Sequence, residues 1–337
     1  MREFLLRPIC EVGPADDAAL LAGGPVAFRR IETTSRDRAP RRLPLKTFSP
    51  ELLSSYTSVR PPVAGVSMDY PRIMGVLNVT PDSFSDGGSD DSVEGAVARG
   101  LAMVTAGADF IDIGGESTRP RAEPVSPADE QARVLPVIEG LIAAGCRAPI
   151  SIDTRNAATA RAALDAGARI FNDISALTHD QDSLALAAES GAYVCLMHAQ
   201  GDPRTMQENP TYEDVLLDVF VYLETRVMAC VQAGITLDKI IVDPGIGFGK
   251  TMEHNLALIA GLSTFQAFGC PVLLGASRKR FIGTLGNEPD AARRAPGSIA
   301  AGLAGVAQGV QILRVHDVAE TNQALRVWTA ASGLWEA

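Results

Sequence analysis

From residue 71 to the C-terminus, short apolar runs of strand length alternate with longer segments of helical periodicity. The apolar runs are continuous, as is typical of parallel strands that are buried on both faces. Because a helix-sized segment separates each run from the next, the pattern predicts repeated strand–helix units. The eight predicted strands are Arg72–Asn78, Asp109–Gly114, Pro149–Asp153, Arg169–Asp173, Ala192–His198, Lys239–Asp243, Pro271–Ser277 and Gln311–His316.

Eight predicted helices complete these units. They are Ser92–Ala106, Pro127–Ala144, Asn156–Ala166, Ser183–Ser190, Tyr212–Ala233, Glu253–Leu262, Ala291–Gln308 and Val318–Ala331. Eight strand–helix units in the 267 residues from 71 onward match the size of a (β/α)8 TIM barrel. We therefore predict an α/β protein in which residues 71–337 form the barrel and residues 1–70 form an N-terminal extension.

The extension differs from the rest of the chain in charge and in pattern. It holds ten Lys and Arg and eight Asp and Glu, a charge of +2, so the remainder carries −12. Because its periodicity is weak, we predict a partly irregular segment with a hairpin around Pro25–Glu32 and a short helix near Pro50–Tyr56. The sequence indicates no chemical role for the extension, and a regulatory or interface role is a hypothesis.

The composition limits the possible partners. With 30 Lys and Arg, 40 Asp and Glu and no basic block, the net charge of −10 argues against nucleic acid. An anionic substrate must then be held by a few placed cations. The apolar run at residues 18–28 is too short for a membrane segment, so no membrane association is expected. Five widely spaced cysteines without a C-x-x-C pair favour a reduced, cytoplasmic setting.

Every predicted strand ends in polar residues or glycine. Because catalytic residues of such barrels lie at the carboxyl ends of the strands, these side chains should converge on one mouth. Helix capping accounts for single Asp, Asn or Ser residues at such positions, but not for a ring of eight. The strand ends are Asn78, Gly114–Glu116, Asp153, Asn172–Asp173, His198, Asp243, Ser277 and His316.

The loops that follow five of these strands carry longer motifs. Residues 78–88 read NVTPDSFSDGG, 114–120 GGESTRP, 243–250 DPGIGFGK, 277–279 SRK and 314–317 RVHD. In this order, the motifs resemble those of the dihydropteroate synthase family of pterin-binding barrels, and the resemblance extends from Pro71 to the C-terminus. It implies a transferase of folate biosynthesis. The implied reaction condenses 6-hydroxymethyl-7,8-dihydropterin pyrophosphate with p-aminobenzoate to give 7,8-dihydropteroate and pyrophosphate, by a dissociative, SN1-like mechanism.

The resemblance also implies roles for individual residues. The pterin ring needs amides and carboxylates to read its polar edge, and the family residues that bind it match Asp153, Asn172, Asp243 and Lys279. The pyrophosphate would contact Asn78, Arg119, Arg314 and His316, with Mg²⁺ as the cofactor and Asn78 as its protein ligand. Arg314 and His316 lie two apart on a strand, so their side chains point to the same side. The catalytic residues implied are Asp153, Lys279, Arg314 and Arg119.

The second substrate would bind in a pocket that the first two loops complete. The matching family residues for p-aminobenzoate are Phe84, Ser117, Thr118, Arg119, Pro120, Phe248 and Lys279. Sulfonamides mimic p-aminobenzoate in this family, so inhibition by them is expected. Family members commonly form dimers, so a homodimer is expected here as well.

Two alternatives stay open at the level of the sequence. The first is a methyltransferase of the same superfamily that acts on methyltetrahydrofolate and a corrinoid partner. It does not need Thr118–Pro120, Ser277–Lys279 or Arg314–His316, so their presence counts against it. The second is a non-catalytic pterin-binding homologue. Arg121 keeps this reading open, because family members usually carry glycine after the Thr-Arg-Pro element.

Overall fold

The computed structural model describes residues 4–12, 17–80, 92–116, 125–201 and 205–333. The N-terminal part of the chain forms an antiparallel sheet in which β3 pairs with three other strands. The elements are β1 (Leu5–Val12), β2 (Ala19–Leu20), β3 (Val26–Ser35), β4 (Arg38–Pro44) and α1 (Pro50–Thr57). The predicted short helix is thus confirmed. The predicted hairpin around Pro25–Glu32 is wrong in place, because β3 continues to Ser35 and the turn into β4 lies at residues 36–37.

The remaining strands form a parallel sheet that closes into a barrel. In chain order they are β5 (Arg72–Asn78), β6 (Phe110–Gly114), β7 (Ile150–Asp153), β8 (Ile170–Asp173), β9 (Tyr193–Met197), β10 (Ile240–Asp243), β11 (Leu273–Leu274) and β12 (Ile312–Val315). The hydrogen-bonded order is β10-β9-β8-β7-β6-β5-β12-β11, and a parallel bridge between Val242 and Val272 joins the two ends. The predicted (β/α)8 barrel is confirmed.

The helices lie on the outside of this sheet. They are α2 (Val93–Thr105), α3 (Pro127–Ala143), α4 (Ala157–Asp165), α5 (Ser183–Ser190), α6 (Val215–Gln232), α7 (Met252–Ala260), α8 (Arg280–Leu285), α9 (Ala295–Val306) and α10 (Val318–Ala331). Side-chain caps begin several of them. Ser92, Ser126 and Asp214, for example, accept backbone N–H groups of the first turn of α2, α3 and α6. No helix within the described ranges is both long and apolar enough to cross a bilayer.

The seventh barrel strand is the main departure from the predicted elements. Only Leu273–Leu274 pairs as a strand, although the apolar run extends from Pro271 to Ser277. Pro271 has no N–H, and the N–H of Val272 donates to the side-chain Oε1 of Gln311 at 2.8 Å rather than to a neighbouring strand. Residues 275–279 lead from this strand to the short helix α8, whose six residues are too few to show a helical period.

The barrel interior is apolar at one end and polar at the other. Its lower layer is a cluster of buried apolar side chains from the first halves of the strands. The members are Met74, Phe110, Ile170, Cys195, Ile241, Leu273 and Ile312, and Val63 and Met68 pack against them from the preceding segment. Because this end is filled, polar chemistry is confined to the carboxyl ends of the strands.

The N-terminal sheet packs onto the barrel through a buried 3-10 helix, Leu262–Phe268. Arg60 is 2% exposed and donates to the backbone oxygen of Gln266 at 2.9 Å and to its Oε1 at 3.0 Å. The side chain of Ser263 donates to the carbonyl of Pro8 at 2.8 Å. Apolar residues of the sheet and of the barrel belong to one continuous core. The division at residue 70 stays a prediction, since the two parts bury surface against each other.

Candidate active site at the mouth of the barrel

A cavity of about 1430 Å³ opens at the carboxyl ends of the strands. Six of the predicted site residues line it. These are Asn78, Asp153, Phe248, Lys279, Arg314 and His316. Asn172 and Asp243 lie below this lining and are only 6% and 5% exposed. The fold therefore brings together the predicted residues that the structure describes.

Arg314 is the centre of the charged network. It lies on β12, and its Nε donates to Oδ2 of Asp112 at 2.6 Å while its Nη2 donates to Oδ2 of Asp153 at 2.6 Å. These two carboxylates raise the pKa of Arg314 above its usual value, although burial alone would lower it. Arg314 is thus a fixed cation.

Asp153 is a buried carboxyl at the end of β7. Burial raises its pKa to about 7, the Arg314 cation opposes this rise, and Asp112 adds to it. Asp153 and Asn78 flank the same glycine: a Cβ on Gly114 would lie 3.6 Å from Cβ of Asp153 and 3.8 Å from Oδ1 of Asn78. Two oxygen-bearing side chains therefore approach one point of the mouth.

Asp243 is held by the loop that follows β10. Its Oδ1 accepts the N–H of Gly245 at 2.7 Å, and burial raises its pKa. Gly245 has a φ of +70°, and a Cβ there would lie 1.8 Å from the carbonyl oxygen of His198. Only glycine allows this turn, so the DPG sequence serves to present Asp243 at the end of its strand.

Lys279 and Phe248 form the wall predicted for the aromatic substrate. Nζ of Lys279 lies 4.0 Å from the centroid of the Phe248 ring, within the range of a cation–π contact. Burial, reinforced by the neighbouring Arg314, lowers the pKa of Lys279 to about 8. Arg278 just before it has a φ of +58°, and its guanidinium is ion-paired with Asp317.

His316 lies beside Ser277, with Nδ1 3.0 Å from the hydroxyl oxygen. Burial and the Arg314 cation lower the pKa of His316 to about 3. At neutral pH the imidazole is therefore uncharged, and it meets an anion as a neutral hydrogen-bond donor.

A second buried pair supports the loop that carries Phe248. Nζ of Lys250 donates to the carbonyl oxygens of Phe248 at 3.0 Å and His198 at 3.2 Å, and lies 2.9 Å from Nδ1 of His198. Burial lowers the pKa of Lys250 to about 7 and that of His198 to about 3. A neutral His198 accepts from the ammonium, so this histidine forms part of the wall rather than a metal site. No cluster of metal-binding side chains occurs in the described part of the chain.

Several predicted residues cannot be placed. Phe84, Ser117, Thr118, Arg119 and Pro120 lie outside the described residues, and so does Arg121. The segment just before this second loop is well anchored, however. Glu116 pairs with Arg155 at 3.1 Å, and Arg133 donates to the carbonyl of Gly115 at 2.8 Å. The roles of the residues outside the description stay predictions.

Sequence reasoning missed two parts of the site. Asp112 lies inside the run Asp109–Gly114, two positions before the strand end, whereas the barrel pattern points only to the ends of the runs. The alternation of inward side chains, which places Phe110, Asp112 and Gly114 on one face, is the signal that identifies it. The cavity wall at residues 206–210 was also missed, and it follows no strand end directly.

Comparison with known proteins identifies the family to which the chain belongs. The model of the family described as "Pterin binding enzyme" matches residues 74–316. Dihydropteroate synthase of Escherichia coli K12 is 48% identical over 265 residues, which cover 78% of this chain and 93% of that protein. The synthase prediction is thus confirmed over both alternatives, because the relatives carry that name.

Solved structures agree with the sequence relatives. Xanthomonas albilineans dihydropteroate synthase with 4-aminobenzoic acid has a TM-score of 0.75 and 46% identity, and the match covers 80% of this chain and 96% of that one. The Yersinia pestis enzyme in complex with a sulfonamide drug has a TM-score of 0.76 and 43% identity, with coverage of 81% and 99%. The chain therefore belongs to the dihydropteroate synthase family of pterin-binding enzymes and is a transferase of folate biosynthesis.

Proposed function

We propose that the mouth of this barrel condenses 6-hydroxymethyl-7,8-dihydropterin pyrophosphate with p-aminobenzoate to give 7,8-dihydropteroate and pyrophosphate. The observation that carries the proposal is one network of charged and amide groups at the strand ends. Arg314 links Asp153 to the buried Asp112, which in turn accepts from Asn172. A flat polar heterocycle with an anionic tail requires such a mixture of fixed donors, acceptors and cations.

The pterin edge is proposed to lie against Asp153, Asn172 and Asp243. Carboxylates accept from the ring N–H and amino groups, and the amide of Asn172 both donates and accepts. Lys279, which lies beside Phe248, is proposed to border the ring as well. Because these groups are buried, an unmatched heterocycle would leave polar groups unpaired, which makes the site selective.

The leaving pyrophosphate is proposed to lie by Arg314 and His316, with Arg119 from the second loop as a further cation. Asn78 fits a Mg²⁺ ligand, because its side chain lines the cavity without a hydrogen bond to any residue of the described ranges. Mg²⁺ prefers oxygen ligands and keeps several waters when only one or two protein groups bind it. When bound, Mg²⁺ neutralises part of the charge on the departing pyrophosphate.

The carbon–oxygen bond is proposed to break before the amine attacks. The C–O electron pair leaves with pyrophosphate, and the resulting positive charge is spread over the pterin. Asp153 is close enough to the mouth to stabilise this cation, while Arg314 and His316 stabilise the anion. The aniline nitrogen of p-aminobenzoate then attacks the exocyclic carbon and releases a proton. No covalent nucleophile is needed, so positioning and electrostatics carry the reaction.

p-Aminobenzoate is proposed to bind against Phe248 and Lys279, in a pocket completed by Phe84, Ser117, Thr118, Arg119 and Pro120. The related structures named above contain 4-aminobenzoic acid and a sulfonamide drug. Sulfonamides are therefore expected to compete with p-aminobenzoate in this chain as well.

Homodimer formation and a cytoplasmic location are also proposed. Exposed apolar side chains on the helices that follow three successive barrel strands, β9, β10 and β11, support self-association. They are Met228 and Val231 on α6, Leu256 on α7 and Leu285 on α8. Light scattering on the purified chain tests the dimer, and a monomeric mass at micromolar concentration would contradict it.

The reaction is tested by measuring both products in one incubation with Mg²⁺. We expect equal amounts of pyrophosphate and 7,8-dihydropteroate, with the second product strictly dependent on p-aminobenzoate. A sulfonamide should raise the KM for p-aminobenzoate without changing the maximal rate. Pterin binding without product would contradict the proposed reaction, and omission of Mg²⁺ without any loss of rate would contradict its role.

A further inference from the structure

Asp112 is a carboxylate in the middle of β6. In the barrel register it lies opposite Val76 of β5 and Ser151 of β7. Its side chain is 0% exposed and is not among the groups that line the cavity. Any effect on substrate must therefore pass through a neighbouring side chain.

Two of its neighbours are candidate ligands of the substrate. Oδ2 of Asp112 accepts Nε of Arg314 at 2.6 Å. Nδ2 of Asn172 donates to both carboxylate oxygens, at 3.3 Å and 3.2 Å. One buried group is thus shared by the proposed pyrophosphate ligand and by a proposed pterin ligand.

Arg314 pairs with two carboxylates, and Asp112 is the more deeply buried of the two. Asp153 is 12% exposed at the mouth, whereas Asp112 is completely buried below it. An anion that enters from the mouth therefore meets the Nη2 side of the guanidinium, where Asp153 lies, before the Nε side, where Asp112 lies. Because a guanidinium has five N–H groups in one plane, a fixed Nε leaves its outer edge directed at the mouth.

Asp112 also sets the orientation of the side-chain amide of Asn172. Nδ2 of Asn172 lies within hydrogen-bond distance of both oxygens of Asp112, so the NH2 group of the amide points toward this carboxylate. The side-chain Oδ1 of Asn172 then lies on the opposite side of the amide, where it accepts no hydrogen bond from any residue that the structure describes. Oδ1 of Asn172 is therefore available to accept a hydrogen bond from an N–H group of the pterin.

We propose that Asp112 is a positioning residue that orients Arg314 for pyrophosphate and the amide of Asn172 for the pterin edge. This inference rests on the proposed function, since it needs both ligands to bind as described. It predicts that Asp112 controls affinity for the pterin substrate and the rate of its ionisation, and that it leaves the p-aminobenzoate wall at Phe248 and Lys279 unchanged.

The test compares Asp112→Asn with Asp109→Asn, a matched change directly before the same strand, where Oδ2 of Asp109 accepts the N–H of Ile73. Calorimetry measures the Kd of 6-hydroxymethylpterin and of inorganic pyrophosphate, and steady-state assays give kcat and both KM values. For Asp112→Asn we expect each Kd to rise and kcat to fall by about ten- to hundredfold, the size of lost hydrogen bonds to charged groups. The KM for p-aminobenzoate should stay within about threefold.

A double variant keeps the test valid if Asp112→Asn fails to fold. In the exchange Asp112→Asn with Asn172→Asp, the net charge and an amide–carboxylate pair are both retained. A purely structural role predicts that this exchange restores affinity and kcat. The positioning role predicts a folded protein that stays impaired, because Arg314 then faces an amide and the pterin faces a carboxylate.

The possible results distinguish failure of the positioning role of Asp112 from failure of the proposed function. Wild-type Kd and kcat values in either Asp112 variant would overturn the inference. An equal loss in Asp109→Asn would overturn it too, because the effect would then follow stability. Failure of the unmodified chain to bind 6-hydroxymethylpterin at all would instead refute the proposed function.

Discussion

At the scale of single residues, the site contains two ionisable groups whose pKa values approach each other. Burial raises the pKa of the Asp153 carboxyl to about 7, and burial lowers the pKa of the Lys279 ammonium to about 8. Arg314 faces both groups: it favours ionised Asp153 and disfavours protonated Lys279. The two groups are therefore charged together only in a narrow interval of pH.

This interval predicts a bell-shaped dependence of kcat/KM on pH. Below about pH 7, Asp153 gains a proton and no longer stabilises a pterin cation, so the rate falls as the pH decreases. Above about pH 8, Lys279 loses its charge, so the rate falls as the pH increases. Rates measured across both limbs check this prediction, and Asp153→Asn should lack the acidic limb in its residual activity. A rate that stays flat from about pH 5.5 to about pH 9.5 would contradict it.

The polar residues at the strand ends were predictable from the sequence, but their pairing was not. Asp153, Asn172, Asp243 and Arg314 follow from the barrel pattern and the family motifs. The ion pairs of Arg314 depend on side chains from β6 and β7, which lie 202 and 161 positions away in the chain, respectively. No local pattern encodes such a contact, and for this reason Asp112 was missed.

At the scale of elements, hydrogen bonds join the loop after β10 to the loop after β9. The hydroxyl of Tyr212 donates to the carbonyl of Gly249 at 2.7 Å, and Nε2 of Gln207 donates to the carbonyl of Gly247. Lys250 adds the bonds to His198 described above. These contacts hold Phe248 against Lys279, so the geometry of the wall depends on two loops rather than one.

Gly245→Ala tests this dependence. A Cβ at residue 245 would collide with the carbonyl oxygen of His198, and the backbone there is left-handed. We expect the free energy of unfolding to fall by at least about 3 kcal/mol and the KM for p-aminobenzoate to rise as Phe248 shifts. Urea unfolding and steady-state kinetics measure the two effects.

Gly145→Ala is the matched control for that change. Gly145 also has a positive φ, of +75°, but a Cβ there meets no atom of the described residues within 4 Å. It should cost about 1 kcal/mol and leave the KM unchanged. Equal effects at residues 145 and 245 would show that backbone conformation alone, rather than the contact with His198, explains the loss.

The N-terminal sheet acts on the barrel through buried contacts at the 3-10 helix Leu262–Phe268. Arg60 donates to the carbonyls of Ser55 and Ser58 and to Gln266, and burial lowers its pKa to about 10. It has no carboxylate partner among the described residues. The cation therefore serves as a hydrogen-bonding clamp between α1 and the barrel.

Arg60→Met is expected to lower the free energy of unfolding by about 2–4 kcal/mol, because several carbonyls lose a charged donor. Since Arg60 lies away from the mouth, kcat/KM at 25 °C should not change. Arg41→Met, on the exposed strand β4, is the control and should stay within about 0.5 kcal/mol. A loss of activity without a loss of stability would instead support a regulatory role for the extension.

Element types were more predictable than element ends. The first barrel strand and α5 were predicted with their observed bounds, and α2, α3, α4 and α10 to within one residue or less at each end. The strand at Leu273–Leu274 was predicted too long, because hydrophobicity reports burial and not hydrogen bonding. The N-terminal sheet was predicted as partly irregular, because its strands pair in an antiparallel order that periodicity does not reveal.

At the scale of the whole molecule, the barrel separates an apolar end from a polar one. The N-terminal segment seals the apolar end with Val63 and Met68. The polar end holds buried cations in a chain of net charge −10, so an anionic substrate is bound by placed groups rather than by a general field. The chemistry therefore resides in the network of charged and polar side chains at the mouth.

The most direct test measures dihydropteroate formation by Lys279→Ala beside Lys239→Ala. Lys279 lies at the mouth, whereas Lys239 precedes β10 at the other end of the barrel and donates to the carbonyl of Gly191. Loss of one electrostatic group in an active site lowers kcat/KM by about a hundredfold or more, and we predict this for Lys279→Ala. Lys239→Ala should retain the activity of the unmodified chain. Equal activities in the two variants, both folded, would contradict the account.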